Sequence, residues 1–119
     1  MELLDAKALV GQNQLDMAVE TAFSADLLSD VLAFAKAGSL LLTGLTNPQI
    51  VRTASILDIA AIVLVRGKIP QSETLRLAKQ LNIPVLSTRY ILFETSGRLF
   101  SHGVKGCIKK VGNDDYGTT

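Results

Sequence analysis

Tryptophan is absent, and cysteine and histidine occur once each, as Cys107 and His102. One thiol makes no internal disulfide, and the two residues together cannot fill the four positions of a structural zinc site. A cytoplasmic, reducing compartment fits this usage, and we expect neither metal nor cofactor. Aromatic residues are only 5% of the chain. The core must therefore be built from Leu, Ile, Val and Ala, which suit strands and helices packed in layers. No apolar run approaches the ~20 residues that cross a bilayer. Met1-Glu2-Leu3-Leu4-Asp5 lacks the basic start and long apolar centre of a secretory signal, so no membrane partner is expected. Neither sign of charge dominates: 12 basic and 11 acidic residues give a net charge of +1. The cluster of Lys105, Lys109 and Lys110 is too small to be the basic stripe of a nucleic-acid binder.

What is present is 119 residues, 48% of them apolar, enough for one domain with a core of its own. The informative stretch runs from Gly38 to Thr88. Ser39–Thr43 is a short apolar run, turned by Gly44-Leu45-Thr46-Asn47-Pro48 into a helical pattern. Ala60–Val65 is a second run, broken by Arg66-Gly67-Lys68. A helix pattern over about Ser72–Leu81 and the short run Val85-Leu86-Ser87 close the unit. Apolar runs alternating with helical patterns predict parallel strands joined by crossover helices. Ala60–Val65 does not alternate, so it is read as the most central strand, covered on both faces.

The flanks are less regular. Met1–Val10 reads as a short helix leading into a brief strand, and Leu15–Ala22 as a strand. The two are expected to pair as a hairpin across the Gly11 turn. Ser24 is placed as a helix cap with Asp26 in the first turn, where the helix dipole favours an acid. Leu27, Leu28, Val31, Leu32 and Ala35 form the buried stripe of that helix. Asn47-Pro48 is the strongest local signal, a cap residue followed by proline at the first helical position. A last helix covers about Arg89–Ser101, with Ile91, Leu92, Thr95, Leu99 and Phe100 as core contacts. Residues 1–103 are read as the domain and 104–119 as a polar C-terminal tail, disordered in the simplest reading.

Small polar residues gather just after the strands, which is where open α/β sheets bind ligands. In Thr43-Gly44-Leu45-Thr46-Asn47, backbone amides at a helix start could hold an anion. No Gly-Lys-Ser/Thr follows as in a P-loop, and the three glycines of a dinucleotide fingerprint are missing. In the plain alternative Asn47 caps, Gly44 turns and nothing binds. Ser87-Thr88-Arg89 is a second such turn, with Arg89 able to face a phosphate or a carboxylate, and Phe23-Ser24-Ala25-Asp26 is a third. Arg66-Gly67-Lys68 reads first as a turn of solvated charges. Catalysis has little support. His102 would have to find a serine and an acid, and Cys107 stands in a polar segment without a nearby base.

Four segments in this order resemble the DRTGG domain family. They are Ala25–Leu32, Thr43–Val51, Ile62–Val65 with its Gly67–Pro70 turn, and Ile83–Thr88. The resemblance spans about Val10–Gly103. The Asp-Arg-Thr-Gly-Gly signature itself is absent, and Asp16 is its nearest remnant. The family is similar to the N-terminal domain of HPr kinase/phosphorylase and also occurs beside CBS domains in some pyrophosphatases. The resemblance implies a three-layer α/β module with a regulatory or ligand-sensing role, and no enzymatic activity. The expectation is one α/β domain with a mostly parallel central sheet and flanking helices. It would act as a non-catalytic regulatory or sensor module. It would bind a small anionic ligand, such as a nucleotide or other phosphorylated molecule, at the C-terminal strand ends through Thr43, Gly44, Thr46, Asn47, Ser87 and Thr88. The alternative is a protein-interaction module, a homodimer or the companion of a partner enzyme, with no small-molecule ligand.

Overall fold

The three apolar runs of the central stretch become three adjacent parallel strands. In the computed structural model, which describes residues 3–12 and 19–112, they are β3 (Leu40–Thr43), β4 (Ala61–Leu64) and β5 (Val85–Ser87). Every residue of β3 and β4 is buried, as continuous apolar strands require. With β1 (Lys7–Val10), β2 (Thr21–Ser24) and β6 (Lys105–Gly106) they make a six-stranded sheet in the order β1-β5-β4-β3-β2-β6. All neighbours are parallel except β1, which runs antiparallel to β5.

Strand order and handedness set the layers. The helices are α1 (Leu28–Phe34), α2 (Pro48–Ile56), α3 (Ser72–Gln80) and α4 (Leu92–Ser101). From β2 to β5 the chain steps one strand at a time in one direction. Right-handed crossovers then place α1, α2 and α3 on the same face. There Val31, Val51 and Ala78 pack on Leu41, Ile62, Leu64 and Val85. After β5 the chain runs back across the sheet to β6, so α4 takes the opposite face. Leu99 packs there with Leu40, Leu42, Val63 and Leu86. Alternate residues of β3 and β4 serve the two cores, the consequence of a period of two. The result is one α/β domain of three layers.

Several sequence expectations are corrected. No hairpin joins the N-terminal segments: β1 pairs with β5 and β2 with β3 and β6, at different places in the sheet. Long-range pairing outweighed the local turn. Residues 13–18, with Asp16 and most of the strand expected from Leu15, lie outside the described residues. α1 starts at Leu28 and is not capped by Ser24, whose hydroxyl instead meets that of Ser96 at 2.7 Å. Leu27 and Leu32 of the expected stripe are exposed. On α4, Thr95 and Leu99 are buried, but Ile91 and Phe100 are exposed. Ile91 precedes the helix, and Phe100 follows Leu99 by one residue, which turns it about 100° away. Past Val104 the chain adds β6, whose pairing with β2 extends to a Cys107 amide bond to the Ala22 carbonyl. The rest of the expected tail, 113–119, lies outside the described residues.

Candidate functional site

Because β2, β3, β4 and β5 are parallel and adjacent, the turns that leave them share one rim of the sheet. Register locks these turns together. The Val65 amide donates to the Thr43 carbonyl at 3.0 Å, the Gly67 amide to the Thr88 carbonyl at 2.9 Å, and the Arg66 amide to the Tyr90 carbonyl at 2.8 Å. The rim is therefore a continuous hydrogen-bonded ledge.

One part of it is already engaged by the chain's own carboxylate. Asp26, just after β2, accepts from the Gly44 amide at 2.7 Å and from the Thr43 hydroxyl at 3.3 Å. The Leu45 amide donates to the Thr43 hydroxyl at 3.1 Å. Arg66 approaches the other Asp26 oxygen at 4.0 Å. Gly44 leaves room for the Arg66 guanidinium: a Cβ there would press on the end of that side chain and lie 3.4 Å from Asp26 Oδ1. Asp26 is therefore not a helix-dipole partner of α1. It bridges the turns after β2, β3 and β4.

The remaining residues singled out by sequence are divided among different tasks. The Thr46 carbonyl accepts from the Thr74 hydroxyl at 2.6 Å, which ties the entry of α2 to α3. Asn47 is the N-cap of α2 and Pro48 opens the helix, as expected, but its side chain makes no capping bond. Its Oδ1 is buried without a hydrogen-bond partner among the described residues. The buried Thr88 hydroxyl donates to the Leu4 carbonyl at 2.6 Å, holding the N-terminal segment against the sheet. Thr43 and Gly44 thus stand together, Thr46 and Asn47 follow them, and Thr88 points into a structural contact.

Ser87 belongs to a different place. It pairs in register with Lys7 of β1. Both line an open groove of about 540 Å³ at the ends of β4 and β5, together with Gly67, Lys68, Ile69 and Arg89. Asp5, Leu9, Pro70 and Leu75 complete its lining. Three cations, Lys7, Lys68 and Arg89, face one carboxylate, Asp5. The rest of the lining is largely aliphatic, with Leu9, Ile69 and Leu75, and Ile69 is 88% exposed. Gly67 has a φ of +64° and lies under the Arg89 side chain, whose Cγ is 3.8 Å from where a Cβ would be. The left-handed turn brings Lys68 and Arg89 to the same mouth. Sequence reading pointed to Arg66-Gly67-Lys68 and to Arg89 one at a time. It missed Lys7, because only the antiparallel pairing of β1 with β5 brings that residue here. Among the described residues no group of three or more His, Cys, Asp or Glu side chains is placed to hold a metal.

The model of the DRTGG domain matches residues 1–101. The chain belongs to the DRTGG domain family. No curated protein sequence matches it. Among solved structures, it is similar to the CBS and DRTGG domains of the regulatory region of Clostridium perfringens pyrophosphatase, which was determined complexed with the activator diadenosine tetraphosphate. The TM-score is 0.67 at 22% identity, over 87% of this chain and 44% of that one. This DRTGG domain therefore spans less than half the length of that regulatory region, and the likeness is one of fold. Among the described residues of this DRTGG domain, no helix is long and apolar enough to cross a membrane.

Proposed function

We propose that this DRTGG domain is a non-catalytic regulatory module that binds a small phosphorylated ligand, a nucleotide being the best fit, in the groove at the ends of β4 and β5. The observation that carries this reading is the pairing of opposite characters in one groove. Lys7, Lys68 and Arg89 with the Ser87 hydroxyl suit phosphate oxygens, and Ile69 with Leu75 suits the face of a base. The volume of about 540 Å³ is in the range of small-molecule sites. The membership of a related domain in a regulatory region complexed with a nucleotide activator agrees with this role.

The Asp26–Gly44 contact bears on where the ligand sits. A phosphate at the turn after β3 would have to displace Asp26 from the Gly44 amide. At the groove no such exchange is required, so of the six candidates Ser87 is the one we assign to the ligand. Titration calorimetry of the full chain with ATP, ADP and AMP tests the reading. Binding is expected to weaken at least about tenfold in both Lys68→Ala and Arg89→Ala, as for loss of a charge-assisted hydrogen bond, and to weaken with added salt. Saturation at ~100 times the dissociation constant should stabilise the fold by about 2.7 kcal/mol. No heat and no thermal shift with any of the three nucleotides, or binding indifferent to both substitutions, would refute it. The second reading, a homodimer or the companion of a partner enzyme, is favoured by the apolar surface of α4.

A further inference from the structure

We propose that the outward face of α4 is a self-recognition surface on which two copies of this chain pair through antiparallel α4 helices. This inference does not depend on the groove. Phe93 is 82% exposed and Phe100 72% exposed, the two most exposed aromatic side chains of the helix. They lie seven residues apart, on one stripe of the helix. Gly97 stands between them on the same stripe, and a Cβ there would meet nothing within 4 Å. Nothing among the described residues accounts for a glycine at that point, and helix interiors disfavour it. A second helix laid against the stripe would account for it, since the missing side chain lets backbones approach and gives each Phe ring a flat seat.

Charge selects the occupant. Glu94 and Arg98 flank the stripe along one edge and pair with each other at 2.9 Å. Arg98 is also stacked on the Tyr90 ring, 4.1 Å from its centroid, which fixes its position. When two identical helices meet face to face and antiparallel, the same edge of each is brought together in reverse order. Glu94 of each copy then opposes Arg98 of the other. The edge is complementary to itself in that orientation, whereas in a parallel two-fold pair each copy's Glu94–Arg98 edge lies across from the other's opposite edge and the four charges do not meet. This is the isologous contact of a two-fold dimer. A helix of 10 residues covers less than the ~800 Å² per partner of a standard interface, so the dimer should be weak, with a dissociation constant on the order of tens of micromolar.

Sedimentation equilibrium of the full chain from ~1 μM to ~1 mM brackets that range. A concentration-dependent monomer–dimer equilibrium is expected. Phe93→Ser, Phe100→Ser and Gly97→Leu should each weaken it at least about tenfold, as for residues at the centre of an interface. All three positions are exposed, and circular dichroism checks that the variants are folded. Charge provides the sharper test. The Glu94→Lys chain carries two cations on this edge and the Arg98→Glu chain two carboxylates. Each alone should be a monomer, and an equimolar mixture should pair one to one. A wild-type chain that stays monomeric throughout overturns the proposal and leaves the face to a different protein. A dimer that survives the Phe substitutions, or charge variants that fail to pair on mixing, overturns it too.

Discussion

The Thr88 hydroxyl donates to the Leu4 carbonyl and accepts from the Tyr90 amide at 3.3 Å, so one small group joins the N-terminal segment, the end of β5 and the approach to α4. Replacing it with the similarly shaped Val leaves the Leu4 carbonyl without its donor in a buried site. Thr88→Val is expected to cost about 1–3 kcal/mol in urea denaturation. Asp26 works at the surface, and its ion pair with the half-exposed Arg66 is worth little. Its bond to the Gly44 amide matters more, because Gly44 is buried. Asp26→Ala should therefore lose about 1–2 kcal/mol, whereas Arg66→Ala should change stability by less than about 1 kcal/mol. Equal losses in the two variants would show that the ion pair, not the amide bond, holds the turns together.

At the level of the element, α4 separates its two faces clearly. Leu99 is buried in the core beneath the sheet, and Leu99→Ala should cost about 2–5 kcal/mol. Gly97 on the other face has open space where a side chain would be, so Gly97→Ala should raise the stability of the monomer by about 0.5–1 kcal/mol. Thermal melts at low protein concentration separate this gain from any effect on association. Loss of stability in Gly97→Ala would mean that the helix packs more closely on its own chain than the structure shows. α2 was the element most legible in the sequence, since Asn47-Pro48 marks its start and the structure begins it at Pro48. The Asn47 side chain nonetheless leaves its Oδ1 without a partner, because a cap position is a matter of backbone direction and the bond also needs the right rotamer.

At the scale of the whole molecule, the sheet depends on what covers its edges. β6 is only two residues long, yet it pairs with β2, and the ladder extends beyond the strand ends through bonds from the Lys105 amide to the Glu20 carbonyl and from the Cys107 amide to the Ala22 carbonyl. Val104 beside it packs on the α4 core. A chain truncated after Gly103 should lose stability and expose the edge of β2. Unpaired strand edges promote aggregation, so light scattering on heating should show an earlier onset than in the full chain. An unchanged onset would make β6 dispensable. β1 protects the other edge in the antiparallel sense, and in doing so it delivers Lys7 to the groove.

Period and punctuation in the sequence were enough for the alternation of strand and helix from Gly38 to Thr88, for the buried central strands and for the rim on which polar turns gather. Those features arise from neighbours in the chain, and local propensity and hydrophobic spacing record them. The partners of β1 and β2, the strand made at Lys105, the exposed side of α4 and the meeting of Lys7, Lys68, Ser87 and Arg89 depended on the packed sheet. Each joins residues far apart in sequence, and their selection rests on which long-range pairing buries the most apolar surface while satisfying the backbone. No local pattern carries that comparison.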